Sequence, residues 1–377
     1  MPFLQKPLLI FFETTRACPL SCIHCRASAI TEPLPGEMSA ADANMLIEQV
    51  TFFGKPYPTI IFTGGDPLKR RNLFDLLIHA AELGITFAVS PAVSELLTAR
   101  TLLRLRQVGA SSISLSLDGS TENIHDAIRS PGTFVRTMNA IKDAHGAGLN
   151  LQINTAVMKR NLLDLPNIFH LIKELGVKTW EVFFLIQVGR GVSVEDLTPE
   201  EYESACNFLY DASRYGLVVR TVEAPFIRRV AKKRDSLGPY WNSVTYENLR
   251  NRLLQLEGRP NQLSTLRQSG TLDGDGIVFV AHDGEIYPGG LLPVSLGNVK
   301  YTSLTEAYRA NQLLQSIRER RLNGRCGICE YRKACGGSRA RAYSYSGDPL
   351  SSDPACIEVS SKGGTPTLEG VPRATSV

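Results

Sequence analysis

Seven of the eight cysteines in this 377-residue chain fall in two short clusters, and their spacing suggests metal chemistry. Cys18, Cys22 and Cys25 stand at Cx3Cx2C within ETTRACPLSCIHCRAS. Three thiolates this close can ligate three irons of a [4Fe–4S] cube, a cluster held by cysteine sulfur. The fourth iron then has no protein ligand and is open to a bound molecule. His24 lies between two of the ligands, too constrained to join them, and reads as a loop contact. A zinc site, which takes four ligands, and three inert buried cysteines are the competing readings. Near the C-terminus, Cys326, Cys329, Cys335 and Cys356 stand at Cx2Cx5Cx20C in a loop-rich segment. Four soft ligands there suit zinc or an iron–sulfur cluster, and the residues alone leave that choice open. Cys206, on an amphipathic helical stretch, reads as an ordinary buried cysteine.

The elements that must position these residues alternate. β-branched or aromatic runs at 8–13, 59–63, 85–90, 112–117, 149–157 and 180–186 predict strands. Amphipathic stretches at 39–53, 72–83, 98–108, 134–147 and 162–175 predict helices between them. Gly54, Gly84, Gly109, Gly148 and Gly176 stand where helix C-caps belong. Strand and helix repeating this way argue for a parallel sheet covered by helices. The near-continuous apolar runs TIIFT and WEVFFLI predict strands buried on both faces. The first cysteine cluster follows the first strand, at the end of an α/β sheet where active sites gather. Beyond it, Thr198 and Glu201 form a capping box that opens a helix to about 215, and 240–256 also reads as helical. Residues 258–274 read as irregular. Asp283-Gly284 turns a hairpin within GIVFVAHDGEIYP, and a helix over 303–320 follows. The last stretch, rich in Gly, Pro, Thr and Ser, predicts a disordered tail over 360–377.

The bulk properties narrow the setting. Hydrophobic residues make up 43% and charged residues 21%, enough for a packed core. The net charge of +4 and the lack of long basic runs argue against nucleic-acid binding. The densest basic patch, Arg318–Arg321, reads as a solvated helix end. No secretory signal pattern is visible, and no apolar run reaches the roughly 18 residues a membrane span needs. The expectation is a cytoplasmic protein with no membrane association, whose cysteines stay reduced.

With its place after the first strand, the Cx3Cx2C motif resembles the signature of the radical S-adenosylmethionine (SAM) superfamily. Thr63-Gly64-Gly65-Asp66-Pro67, in the next strand–helix loop, resembles that family's GGE element, which receives the SAM amine. Here Asp66 replaces the usual Glu, a carboxylate on a shorter arm. The resemblance further implies SAM contacts at the later strand ends: Ser90, Ser116 and Asp118, then Arg129, Gln152, Asn154 and Leu185. It implies an α/β fold, a partial (βα)6 radical SAM barrel with a small C-terminal α+β Fe–S extension. The C-terminal cysteines resemble the auxiliary-cluster half of a SPASM/twitch extension, which favours a second [4Fe–4S] cluster over zinc. Positions 288–290 and Arg339 lack cysteines that a full SPASM domain carries, so one auxiliary cluster is expected. The organisation predicted is a core at 1–195, a helical linker at 196–275, a SPASM/twitch-like domain at 276–359 and the tail.

The chemistry so implied is reductive cleavage of SAM to a 5′-deoxyadenosyl radical that abstracts hydrogen from a substrate. A flavodoxin or ferredoxin-type reductant is the expected partner. TGGDPL and CGGSRARA resemble the heme-synthesis branch, which points to a small-molecule or cofactor precursor, a tetrapyrrole among them. The first strand begins almost at residue 1, which is read as leaving no room for an N-terminal leader-binding domain. A maturase of a ribosomal peptide or protein is the alternative, and a non-catalytic Fe–S electron carrier the third reading. Asp283 and Tyr287 have turn and strand roles that explain them without catalysis, and no general acid or base is assigned.

Overall fold

The computed structural model describes residues 3–260, 262–266 and 269–360. All of the predicted tail except Ser360 lies outside the described residues. The chain forms two compact units. The first comprises Met1–Ser116, Arg129–Gln152 and Thr271–Glu319; the second comprises Leu117–Ile128, Ile153–Gly270 and the chain from Arg320 on.

The first unit holds β1 (Leu9–Glu13), β2 (Thr59–Thr63), β3 (Phe87–Val89) and β4 (Ser112–Ser116), with the start of β5 (Asn150–Val157). The second holds the rest of β5 with β6 (Thr179–Phe184) and β7 (Val218–Val222). The short strands β8 (Leu272–Asp273), β9 (Gly276–Val280) and β10 (Ile286–Tyr287) return to the first unit. Its strand order is β10-β9-β1-β2-β3-β4. β1 therefore lies between two parallel neighbours, with Phe11 opposite Ile61 on one side and Phe279 on the other. Phe12, Phe62 and Phe87 form a buried aromatic ladder across β1 to β3, centroids 5.9 Å apart at each step. Such tilted and edge-to-face contacts add about 0.5–1.5 kcal/mol each beyond burial.

Periodicity found the first six strands and the helices between them, now Ala40–Thr51, Leu73–Glu82, Ala99–Gln107, Thr133–Gly146 and Leu165–Glu174. Gly84 and Gly176 stop two of these with φ of 73° and 72°, the left-handed cap that glycine adopts without a Cβ penalty. The Thr198–Glu201 capping box is present, and its helix runs Pro199–Ala212.

Several expectations are corrected. β2 and β6 alternate between buried and half-exposed residues instead of being buried on both faces. In β6 the buried Trp180 and Phe184 lie against Phe169 and Tyr202, which stand on neighbouring helices. Residues 303–320 form two helices, Leu304–Ala310 and Gln312–Arg318, because Asn311 has extended backbone and caps the second with its side chain. Arg318 is not solvated: it is 3% exposed, and its guanidinium donates to the carbonyls of Gly274, Leu4 and Tyr308. Arg320 is buried too. The hairpin at Asp283-Gly284 exists, but its first strand extends the main sheet by pairing with β1. β7, five residues paired in parallel with β6, was not predicted. Among the described residues, no helix is long and apolar enough to cross a membrane.

Candidate functional site

The loop after β1 is fixed first by backbone. Thr14 N donates to Thr63 O at 2.8 Å, Gly65 N to Thr15 O at 2.8 Å and Asp66 N to Ala17 O at 2.7 Å. The loops that follow β1 and β2 are thus joined main chain to main chain. A Cβ on Gly64 would sit 2.4 Å from Thr15 O, and one on Gly65 would sit 2.5 Å from Ala17 O. Only glycine permits that approach. Glu37 closes the loop from the other side, accepting from Thr15 Oγ1 and Arg16 N, each at 2.9 Å.

Cys18 and Cys22 are buried and Cys25 partly so, packed with Leu20, Ala29 and Ala92. Burial pushes the Cys18 thiol up to about 12, with the charges of Asp66, Cys22 and Cys25 acting in the same direction. Three thiolates in such a pocket need a compensating positive centre, and iron supplies one. The donor set therefore fits a [4Fe–4S] cluster. Amides already point at the sulfurs, Leu20 N at Cys18 Sγ (3.4 Å) and Ala29 N at Cys25 Sγ (3.5 Å). Arg129 is drawn to the same loop, its Nη1 4.0 Å from Cys22 Sγ and its Nη2 3.5 Å from His24 Nε2.

Asp66 is fully buried and already engaged: its carboxylate accepts from Leu68 N at 3.1 Å and Ser94 Oγ at 2.6 Å. Burial raises its pKa above the ordinary range. Ser90 shares a hydroxyl contact of 2.6 Å with Ser114, and Ser116 lies on the same half-exposed face of β4 as Ser114. Gln152 and Asn154 share the half-exposed face of β5. In the second unit, Asp118 is fully buried and its Oδ1 accepts from Ala156 N at 2.7 Å. Leu185 is buried at the end of β6, its carbonyl accepting from Arg341 Nη2 at 3.3 Å. The first unit thus gathers Cys18, Cys22, Cys25, Gly64, Gly65, Asp66 and Arg129 around one loop pair, while Asp118, Asn154 and Leu185 belong to the second.

Sequence reasoning missed the support beneath the cysteine loop. Glu13, 3% exposed at the end of β1, pairs with Arg26 at 3.0 Å and with His282 Nδ1 at 2.8 Å. Arg26, next to Cys25, also stacks on Phe279 at 4.4 Å. No local signal links positions so far apart in the chain. Burial alone would raise the Glu13 pKa, but Arg26 and His282 outweigh it and hold the carboxyl at about 2, against an ordinary 4.5. A depressed carboxyl stabilises the fold above its unfolded pKa and loses that stabilisation as pH falls through the folded one. Glu13→Gln is therefore expected to be less stable than wild type at neutral pH by on the order of 3 kcal/mol. The gap should narrow between pH 4.5 and about 2, measured by paired denaturant titrations.

The second cysteine group lies wholly in the second unit. Cys326, Cys329, Cys335 and Cys356 line one partly open cavity together with Arg229, Arg325 and Arg332. Burial pushes the Cys335 and Cys356 thiols up to about 12. Amides of Asp353, Tyr331 and Gly337 approach Cys326, Cys329 and Cys335, each at 3.4 Å. Among the described residues, no three His, Cys, Asp or Glu side chains are gathered to hold a single metal ion. Four thiols around one cavity, with backbone amides aimed at each of them (Glu358 N at Cys356), fit the donor set of a cluster. Cys206 is fully buried, as expected.

Comparison with known proteins places this arrangement. Residues 12–172 match the model of the Radical SAM superfamily. The chain is 36% identical over 353 residues to the AdoMet-dependent heme synthase of Nitratidesulfovibrio vulgaris, covering 92% of this chain and 91% of that one. The chain belongs to the radical SAM superfamily and is an enzyme. Within the superfamily its similarity lies with the heme-synthesis branch. It is also 26% identical to the mycofactocin maturase MftC of Mycobacterium tuberculosis, over 94% of this chain and 84% of that protein. Among solved structures, Streptococcus suis SuiB bound to S-adenosylmethionine superposes with a TM-score of 0.69 at 16% identity, covering 94% of this chain and 78% of that one. That likeness shows the fold alone, and it is the α/β radical SAM fold the sequence motifs implied.

Proposed function

We propose that this enzyme uses reductive SAM cleavage to abstract hydrogen from a tetrapyrrole precursor of heme. The observation that carries this reading is the 36% identity to a heme synthase over nearly the full length of both chains. When bound, the cluster and SAM supply a 5′-deoxyadenosyl radical. Cys18, Cys22 and Cys25 are its ligands, and the buried apolar loop around them limits water at the reacting centre. Gly64 and Gly65 hold the neighbouring loop at backbone distance and offer carbonyls to the SAM amine, while Ser90, Ser116, Asp118, Gln152, Asn154 and Leu185 line its remaining contacts. Arg129, held beside Cys22 and His24, is read as reaching the SAM carboxylate. Cys326, Cys329, Cys335 and Cys356 hold an auxiliary [4Fe–4S] cluster in a SPASM/twitch-like region over 276–359. The setting is the cytoplasm, with electrons from a flavodoxin or ferredoxin.

The test is anaerobic turnover of the reconstituted enzyme with an iron porphyrin bearing propionate side chains. The expected result is porphyrin-dependent 5′-deoxyadenosine together with porphyrin that has lost carbon dioxide and two hydrogens per propionate converted to vinyl, read by mass spectrometry. One hydrogen atom goes to the 5′-deoxyadenosyl radical, and a proton and an electron leave to solvent and to an added one-electron acceptor. SAM cleavage with the porphyrin returned unchanged would reject the tetrapyrrole. In that case the similarity to MftC makes a peptide the next substrate to try.

A further inference from the structure

We propose that Arg339 sets the reduction potential of the cluster held by Cys326, Cys329, Cys335 and Cys356, by donating an N–H to the Cys326 sulfur. This rests on the reading of those four cysteines as an iron–sulfur site.

The four thiols are not equivalent. Cys329 and Cys335 each receive a backbone amide from two residues onward, Tyr331 N and Gly337 N at 3.4 Å. Cys326 receives the Asp353 amide at 3.4 Å and, in addition, Arg339 Nη2 at 3.8 Å, within the reach of a sulfur acceptor. Arg339 thus brings a side-chain cation into direct contact with a sulfur of the group.

The guanidinium is fixed there. Its Nε donates to Gly337 O at 3.2 Å, and its Nη1 donates to Pro349 O at 3.0 Å and Ser351 O at 2.6 Å. Arg339 is 3% exposed, so solvent screens its charge little. All its oxygen partners are neutral carbonyls. The nearby carboxylate of Asp353 is instead engaged by Ser338 N (2.7 Å), Ala355 N (3.1 Å) and Arg341 Nη1 (3.3 Å). Gly337 makes room for this contact. At φ +67°, a Cβ there would sit 2.6 Å from Arg339 Nη2 and 3.1 Å from Cys326 Sγ.

Adding an electron to an iron–sulfur cluster raises the negative charge on its sulfur shell. Hydrogen bonds to the sulfurs and nearby cations stabilise that reduced form, which raises the potential. A buried, preorganised arginine is a strong donor of this kind. Removing it should leave the ligands in place while making reduction harder.

The experiment uses the full chain carrying Cys18, Cys22 and Cys25→Ala, so that only the auxiliary cluster remains. Iron content and the midpoint potential, followed by electron paramagnetic resonance, are compared with Arg339→Gln and Arg339→Lys added. The expected result is about four irons in all three proteins. Arg339→Gln should shift the one-electron equilibrium at least about tenfold towards the oxidised form, about 59 mV more negative, with a smaller shift for Arg339→Lys. Unchanged potentials at full iron content would overturn the proposal. Loss of iron in both arginine variants would also overturn it, making Arg339 a scaffold for the loop it tethers. A parent that holds no iron would instead reject the cluster reading beneath it.

Discussion

A Gly65→Ala enzyme should lose 5′-deoxyadenosine formation by at least about 100-fold, even with its cysteines intact. The added methyl would lie 2.5 Å from Ala17 O and 2.7 Å from Arg16 O. Both are main-chain atoms of the cysteine loop, so no side chain can swing aside to relieve the clash. The amide of the same glycine donates to Thr15 O at 2.8 Å, and the next amide to Ala17 O at 2.7 Å. To accept the methyl, the two loops must part, taking Cys18 and the carbonyls we propose receive the SAM amine with them. Displacements of about 1 Å at a reacting centre commonly cost 10²-fold. The measurement is 5′-deoxyadenosine per chain under reducing conditions, with iron content alongside. Retained activity would mean that the close approach of the two loops is not needed for SAM cleavage.

The largest stability effect is expected from Glu203→Ala. Glu203 and Arg229 are each 1% exposed. They face each other in a two-pronged pair, Nη1 donating to Oε1 at 3.0 Å and Nη2 to Oε2 at 2.5 Å. Tyr240 adds its hydroxyl to Oε1 at 2.7 Å. Removing the carboxylate strands a buried guanidinium, which costs about 3–5 kcal/mol, whereas an apolar pair of similar volume costs far less. Thermal unfolding of Glu203→Ala should fall by roughly 5 °C, since an unfolding entropy of about 2.1 cal/mol/K per residue makes each kcal/mol worth about 1.3 °C in a chain of this length. The double variant Glu203→Met, Arg229→Met should recover most of the loss. Arg229 also lines the cavity of the four C-terminal cysteines and favours the Cys356 thiolate. Iron retention at that site should therefore weaken in the single variant. A single variant as stable as wild type would show that water or a neighbour such as Glu358, 3.9 Å from Arg229, compensates the charge.

The elements that place the catalytic loop could be read from local pattern. β-branched and aromatic runs gave β1 to β6, helical periodicity gave the helices between them except Glu122–Ile128, and the turn at Asp283-Gly284 gave the hairpin. The cysteine spacing and Gly64-Gly65 pointed to the chemistry because ligation and close backbone approach constrain residue type directly. What stayed hidden depends on pairing across long separations. The parallel contact of β9 with β1 is set by tertiary packing, and so is the Glu13–Arg26–His282 network beneath the loop. β7 is short and carries Arg220 amid its apolar residues, too weak a pattern to outweigh its helical surroundings. Arg318 looked like solvated charge because sequence cannot show that three carbonyls await it. The glycines illustrate the limit from the other side. Their place in a loop suggested room for a ligand, while the structure shows that they also make room for the cysteine loop itself.

We propose that the Cys18, Cys22 and Cys25 loop holds a cluster that cleaves SAM, and that the C-terminal cysteines hold a second cluster. The direct measurement is anaerobic reconstitution with iron and sulfide, then reduction, SAM addition and quantification of 5′-deoxyadenosine. Wild type is compared with the Cys18, Cys22 and Cys25→Ala variant. Wild type should hold about eight irons and form 5′-deoxyadenosine, and the variant about four irons with none formed. Equal iron in the two proteins, or 5′-deoxyadenosine made by the variant, would contradict the account.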